Sequence, residues 1–412
     1  MGGNISMKHS KMKKFGSIFL ASTLLAGVLA GCGSDDDSSN NSGTGDSGGS
    51  PSAEETIKIG ANLELSGGVA SYGSSINEGA KLAIKEINEA GGINGKKIDY
   101  IVADNKSDNA EAVAAATKLA VQDKVVAMIA PATSGNTIAS VQIANDNKIP
   151  IVTPSGTSET ITVNEDGSVN EYAFRTCFID PFQGVVAANF ATEELSAKNV
   201  AIYVDSSNDY SKGLAAAFKE QLEANGGTVV IEESYVTTDV DFKPTLTNIK
   251  SENPDFVFIP GYYEQVGLIV KQARELGIDV PLMGADGWDS PKLVELAGAD
   301  ALTNTYITNH YSSGDPDQVI QDFVAAFEAE YSSQPNAFHA LGYDTVYFLK
   351  DAIERAGDEV TGETIQKALA ETKDLSLITG TFTVDEKHNP VKSATVLEFV
   401  DGEQVFKTKV NP

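Results

Sequence analysis

The sequence predicts an α/β protein of two lobes, each built on a parallel sheet flanked by helices. Two observations predict it. From Thr56 onward, short β-branched runs alternate with longer helical ones, as a parallel sheet with crossover helices requires. Landmarks also recur at nearly constant spacing. Tyr72 and Tyr210, each opening a helix, lie 138 residues apart, and Gly92 and Gly227, in "NEAGG" and "EANGG", lie 135 apart. "IPIVTPSGT" matches "VPLMGADGW" at an offset of 131, which sets Pro150 on Pro281, Ser155 on Asp286 and Gly156 on Gly287. Any two βαβ units share Gly-Gly turns; several landmarks at offsets of 131 to 138 imply a duplicated lobe.

Taken in order, the chain opens with Lys8, Lys11, Lys13 and Lys14, then the apolar run "SIFLASTLLAGVLAG" and Cys32. This is the pattern of an export signal over 1–32, too short for a membrane span. Its end, "LAGC", has the form of a lipoprotein signal, with Cys32 lipidated. "GSDDDSSNNSGTGDSGGSPS" follows, without an aliphatic or aromatic side chain, so residues 33–55 are expected to be a disordered tether. "TIKIGANL", "KIDYIVA", "VVAMIA" and "IPIVTP" read as strands of one lobe; "NVAIYVD", "TVVIEESY", "DFVFIP" and "VPLMGA" read as those of the other. Beyond His310 come the long helical patterns "PDQVIQDFVAAFEAEYSS" and "NAFHALGYDTVYFLKDAIERAG", then "TIQKALAET" and three β-like runs expected to rejoin the second lobe. Lobe 1 is thus expected over 56–177 and 310–378, and lobe 2 over 178–309 and 379–412, with several crossovers forming a hinge.

Composition excludes several functions. Removal of the signal leaves 26 basic against 58 acidic side chains, a net charge of −32, which argues against nucleic acid or anionic lipid as a partner. After Cys32 only Cys177 remains, so no internal disulfide is expected with Cys32 lipidated. His9 leaves with the signal, and His310, His339 and His388 lie in no metal-ligand spacing, so neither a metal nor a cofactor is expected. There is no GxSxG elbow, and "SGGVASYG" and "GGINGKK" match no phosphate-binding loop.

Ligands of open parallel sheets sit beyond the carboxyl ends of the strands. The strand-end loops there are rich in hydroxyls and aromatics: "SGGVASYG", "APATSGNT", "TPSGTSET", "SSNDYSKG", "PGYYEQ" and "GADGWDS". Ser and Thr at helix starts commonly serve as caps. The same N–H groups and hydroxyls suit a ligand carboxylate, here with Ser134, Ser155 and Thr157. Asp286, with Tyr210 and Tyr262 in its own half, suits an ammonium. A zwitterion bridging the lobes follows. A second reading makes Asp286 and Glu264 the acid and base of a secreted hydrolase; a third keeps the fold but binds an amide, urea or other small metabolite.

From "IKIGANLELSGGVASYGSSINEGAKLAIKEINEAGGINGKKI" through "APATSGNT", "IPIVTPSGTSETIT", "FRTCFIDPFQG", "YVDSSNDYSKG" and "PLMGADGWDSPKL" to "ALGYDTVYFL", the chain resembles the leucine/isoleucine/valine-binding proteins. These are type I solute-binding receptors of branched-chain amino acid ABC transporters. The resemblance covers nearly all of 56–410. It implies a two-lobed periplasmic-binding-protein-like fold and no enzymatic activity. It also implies a monomeric extracytoplasmic receptor, held to the membrane by a lipid on Cys32, that delivers an amino acid to a permease. It assigns the ligand carboxylate to Ser134, Ser155 and Thr157, the ammonium to Tyr210, Tyr262 and Asp286, and part of the side-chain wall to Tyr72. Ala132, small in its loop, is a candidate pocket residue, and Trp288 is either an aromatic wall of the pocket or packed against its own lobe. Asp286 stands where relatives often carry Glu, one methylene longer, and the family's first-lobe disulfide is absent.

Overall fold

The structure, a computed structural model, describes residues 55–411. The signal, Cys32 and the tether short of Glu55 lie outside the described residues. The first lobe runs β1 (Thr56–Leu63), α1 (Ala70–Glu89), β2 (Lys97–Asp104), α2 (Asn109–Thr117), β3 (Ala127–Ile129), α3 (Ser134–Asn147), β4 (Ile151–Thr153) and β5 (Ala173–Arg175). A crossover leads to α4 (Asp180–Asn189), β6 (Asn199–Asp205), α5 (Asp209–Ala224), β7 (Thr228–Tyr235) and α6 (Lys243–Ser251). The second lobe continues through β8 (Phe256–Phe258), α7 (Tyr263–Glu275), β9 (Leu282–Gly284), α8 (Pro291–Ala297) and β10 (Thr305–Asn309). Then come α9 (Gln318–Tyr331), α10 (Ala337–Ala356) and α11 (Gly362–Ala370), the short strands β11 (Leu375–Leu377), β12 (Gly380–Val384) and β13 (Pro390–Val391), and finally β14 (Ala394–Val400) and β15 (Glu403–Val410).

The strand orders carry the internal repeat. The first sheet is β2-β1-β3-β4-β5, all parallel, and the parallel part of the second is β7-β6-β8-β9-β10. The fifth strand of each half repeats the other's position. The second sheet departs from a purely parallel one, because β14 pairs antiparallel with β10 and β15 with β14. Central strands are buried on both faces, as in "NVAIYVD", where only Asn199 is exposed; the edge strand β7, "TVVIEESY", is mostly half-buried or exposed. Gly91 and Gly92, both at positive φ (107° and 81°), turn the chain out of α1, and a Cβ on Gly92 would lie 2.2 Å from the Lys96 carbonyl oxygen.

The C-terminal helices return to the first lobe because α10 lies directly on α1. A Cβ on Gly79 would fall 1.9 Å from the His339 carbonyl oxygen and one on Gly342 2.3 Å from that of Ile76, so two glycines bring these backbones together. The expectation that the chain rejoins the second lobe at residue 379 needs correction. β12 pairs with β11 on one side and β13 on the other in a separate three-stranded sheet. That sheet packs on the first lobe: Phe382 meets Phe348 edge-on at 5.3 Å, His388 stacks on Phe174 at 4.1 Å, and Asp344 accepts from Ile378 N–H and Thr379 N–H at 2.8 and 2.9 Å. Only from β14 does the chain rejoin the second sheet.

The last crossover is tied to the first by a buried lysine. Lys392 Nζ donates to the Thr176 carbonyl at 3.1 Å and to Thr379 Oγ1. Burial pushes its ammonium down to about 8 from 10.5, with Asp344 opposing. The unfolded chain therefore binds more protons at Lys392 between these two values, and this residue adds stability as pH rises through that window. The difference in unfolding free energy between wild type and Lys392→Met is expected to shift in favour of wild type from pH 8 to 10.5. Denaturant titrations at several pH values check it, and parallel curves would contradict it.

Candidate ligand-binding site

The first-lobe wall is shaped by an acid the sequence reading passed over. Glu64, immediately after β1, is fully buried and accepts hydrogen bonds from Ala132 N–H (2.9 Å), Thr133 N–H (3.2 Å), Thr133 Oγ1 (3.0 Å) and Asn136 Nδ2 (2.9 Å). It holds the loop between β3 and α3. Thr137 Oγ1 and Thr153 Oγ1 both donate to the Pro131 carbonyl at 2.8 Å, binding the same loop to the end of β4. Ser155 Oγ donates to the Ala132 carbonyl at 2.9 Å, and Ser158 N–H donates to Ser134 Oγ at 3.2 Å. The two predicted serines thus stand on adjacent strand ends of one lobe.

The second-lobe wall is organised around Asp286, in the short turn after β9. Its Oδ1 accepts from Tyr210 OH at 2.8 Å and Gln183 Nε2 at 3.0 Å; its Oδ2 lies 3.1 Å from His310 Nε2. Gln183 also takes the Asp286 N–H on Oε1 at 3.1 Å and the Thr308 hydroxyl at 2.9 Å, so one amide fixes both backbone and side chain of Asp286. Tyr210 and Tyr262 stack at 5.0 Å. Tyr72 crosses from the first lobe: its hydroxyl donates to the Gly287 carbonyl and accepts from Tyr263 N–H at 3.2 Å, and its ring stacks on Phe338 at 4.4 Å. The lobes are closed on each other here, Ser71 Oγ and Ser290 Oγ adding a 2.7 Å contact.

Between these walls lies a narrow cavity lined by Tyr72, Ala132, Ser134, Ser155, Tyr210, Tyr262 and Asp286 of the predicted set, with Thr133, Gly287 and Phe338. Thr157 is buried but is not part of this lining. Trp288 is not in this lining and takes the other of its two expected places, packed in its own lobe. Its ring is fully buried in its own lobe, where Nε1 donates to the Ile259 carbonyl at 2.9 Å, and it lies so close over β9 that a Cβ on Gly284 would sit 2.0 Å from Nε1. The indole needs both its apolar contact and its one hydrogen bond, and the core supplies both. Glu264 faces Gly68 in a different opening, so it shares no cavity with Asp286.

Burial sets the protonation of the site. It holds the phenols of Tyr72, Tyr210 and Tyr262 well above their ordinary range, aided by the charge of Asp286, so all three remain donors. Burial also lowers His310, against the pull of Asp286, and Phe178 stacks on its ring at 3.7 Å; a neutral imidazole facing the carboxylate follows. The Cys177 thiol is pushed up to about 12 by burial, which leaves it unreactive. Among the described residues there is no group of three or more His, Cys, Asp or Glu suited to a metal ion. Glu64, Gln183, His310 and Phe338 were not foreseen. Glu64 and His310 directly follow β1 and β10, and position at a strand's carboxyl end was the signal that could have found them.

Two similar lobes facing one narrow cavity are the architecture of a solute-binding protein. Residues 56–404 match the periplasmic binding protein family, and the chain belongs to it. It is 34% identical over 337 residues to a Leu/Ile/Val-binding protein of Rhizobium johnstonii, covering 82% of this chain and 89% of that one. It also resembles the branched-chain amino acid transporter substrate-binding protein of Streptococcus pneumoniae, solved in complex with isoleucine. That match has 39% identity and a TM-score of 0.81, covering 87% of this chain and 100% of that one. An ABC-transporter solute-binding protein of R. palustris, solved with benzoate, matches at 26% identity and a TM-score of 0.78, covering 87% and 97%.

Proposed function

We propose that this protein is the extracytoplasmic binding component of an ABC transporter, which closes its lobes on a branched-chain or similarly apolar amino acid and presents it to the permease. The observation that carries this reading is the opposition of charges and donors across one closed cavity. Asp286 and two tyrosines stand on one wall, and Ser134 and Ser155 at the start of α3 and the end of β4 stand on the other. An α-ammonium fits the first and an α-carboxylate the second. The rings of Tyr72 and Phe338 leave an apolar wall for the side chain. The relatives named for leucine, isoleucine and valine support the choice of side chain. Anchoring by a lipid on Cys32 and a monomeric state belong to the same reading; no helix among the described residues is long and apolar enough to cross a membrane.

A thermal-shift screen of the purified protein against the amino acids, small amides, urea and benzoate tests it. Leucine, isoleucine or valine at 100 times its Kd is expected to stabilise the protein by about 2.7 kcal/mol. Stabilisation by benzoate or an amide but by no amino acid would replace this reading with one for a ligand lacking the ammonium.

A further inference from the structure

The turn after β9 carries a second buried acid. Asp289 is 2% exposed, and its N–H donates to the Asp286 carbonyl at 2.9 Å, so the two acids stand at the ends of one tight turn. Asp286 lines the cavity and Asp289 does not. Asp289 Oδ1 accepts from Gln404 Nε2 of β15 at 2.7 Å, and Oδ2 accepts from Asn309 Nδ2, at the end of β10, at 3.0 Å. Both partners belong to the second lobe. The third does not: Oδ2 also accepts at 2.9 Å from the N–H of Ala337, the first residue of α10, which packs on the first lobe.

The next residue along α10 is Phe338, whose ring lines the cavity and stacks on Tyr72. The first N–H groups of a helix have no partner within it and need an outside acceptor. In α10 a local cap already serves: the His339 N–H donates to Asn336 Oδ1 at 3.2 Å, and the Asn336 N–H returns to His339 Nδ1 at 3.0 Å. A buried carboxylate brought in from the other lobe is a costly addition to a helix of 20 residues that carries its own cap. What Asp289 adds is position. The same turn grips the first lobe at Gly287, through Tyr72, and at Ser290, through Ser71, and both of those contacts reach α1. Asp289 reaches α10, at the residue beside the side-chain wall.

We infer that Asp289 is a positioning residue for side-chain selectivity: by tying Ala337 to the turn of Asp286, it fixes the Phe338 ring relative to the ammonium acceptor and so sets which ligand side chains the cavity takes. The inference rests on the amino-acid reading above and deepens it. Asp289 touches no ligand and acts through Phe338.

The test compares leucine with alanine, which has the same ammonium and carboxylate but almost no side chain, by calorimetry on wild type and Asp289→Asn. The variant is expected to weaken leucine by about tenfold and alanine by about twofold, so that the leucine-to-alanine preference falls about fivefold. In a Phe338→Leu background, Asp289→Asn is expected to leave that preference unchanged, because the ring it positions is gone. Circular dichroism establishes folding. Should Asp289→Asn not fold, Gln404→Ala, which frees one oxygen of Asp289 from a half-buried strand, is expected to lower the preference about twofold and stands as the measurement. An unchanged preference in the folded variant, or an equal fall with and without the Phe338 ring, would overturn the inference while leaving the amino-acid reading intact. Wild type that binds neither amino acid would instead overturn that reading.

Discussion

Asp286→Ala is expected to weaken the preferred amino acid by about 30-fold or more, since truncating one member of a desolvated charge pair costs about 2–5 kcal/mol of binding free energy. The structure enlarges the reason. The carboxylate also accepts from Tyr210 OH and Gln183 Nε2 and faces His310 Nε2, all buried, so its removal leaves three protein groups without their partner as well as the ligand's ammonium. Calorimetry with the best ligand of the screen measures the effect. An unchanged affinity would remove the ammonium assignment from this residue. The same contacts bear on the side chain's length. Asp286 is gripped by Gln183 from α4 and faces His310 beyond β10, and a longer acid at this position would have to displace one of them.

Glu64→Ala is expected to cost about 3–5 kcal/mol of folding stability, the range for removing one partner of a buried charged interaction. Four donors of the loop between β3 and α3 lose their acceptor at once: Ala132 N–H, Thr133 N–H, Thr133 Oγ1 and Asn136 Nδ2. Because Ala132 and Ser134 line the cavity, ligand affinity should fall with stability. Glu64→Gln, which keeps an acceptor oxygen, is expected to recover part of both. Urea unfolding monitored by circular dichroism gives the stability. A loss below about 1 kcal/mol would mean that the Thr137 and Thr153 bonds to the Pro131 carbonyl hold the loop unaided.

The duplicated architecture was legible because it depends on local signals. Strand periodicity, the glycine turns after α1 and α5 and the match of "TPSGT" to "GADGW" each lie within a few residues, and their nearly constant offset reappears as the common strand order of the two sheets. The same logic brought Ser155 and Asp286 to equivalent strand ends, and both line the cavity. Trp288 was not legible in this way. Two residues from a cavity acid, an aromatic ring can turn to ligand or core, and the choice was made by Gly284 beneath it and by the Ile259 carbonyl, 29 residues away. The destination of β12 and β13 was hidden for the same reason: their β-like pattern fits either lobe, and Asp344, Phe348 and Phe174 decided between them.

What the sequence by itself determined is therefore the repeated α/β frame, the strand ends that bear the site, and the residue types offered there. These follow from side-chain periodicity and turn chemistry over short spans of chain. The tertiary structure alone decided how those residues are held. Gln183 reaches Asp286 across 103 residues, Tyr72 reaches Gly287 across 215, and Glu64 reaches the loop it shapes across 68 to 72. Such partners meet only when the lobes pack and close, because a buried polar group must find its hydrogen bond wherever the fold puts a complement, whatever the distance along the chain.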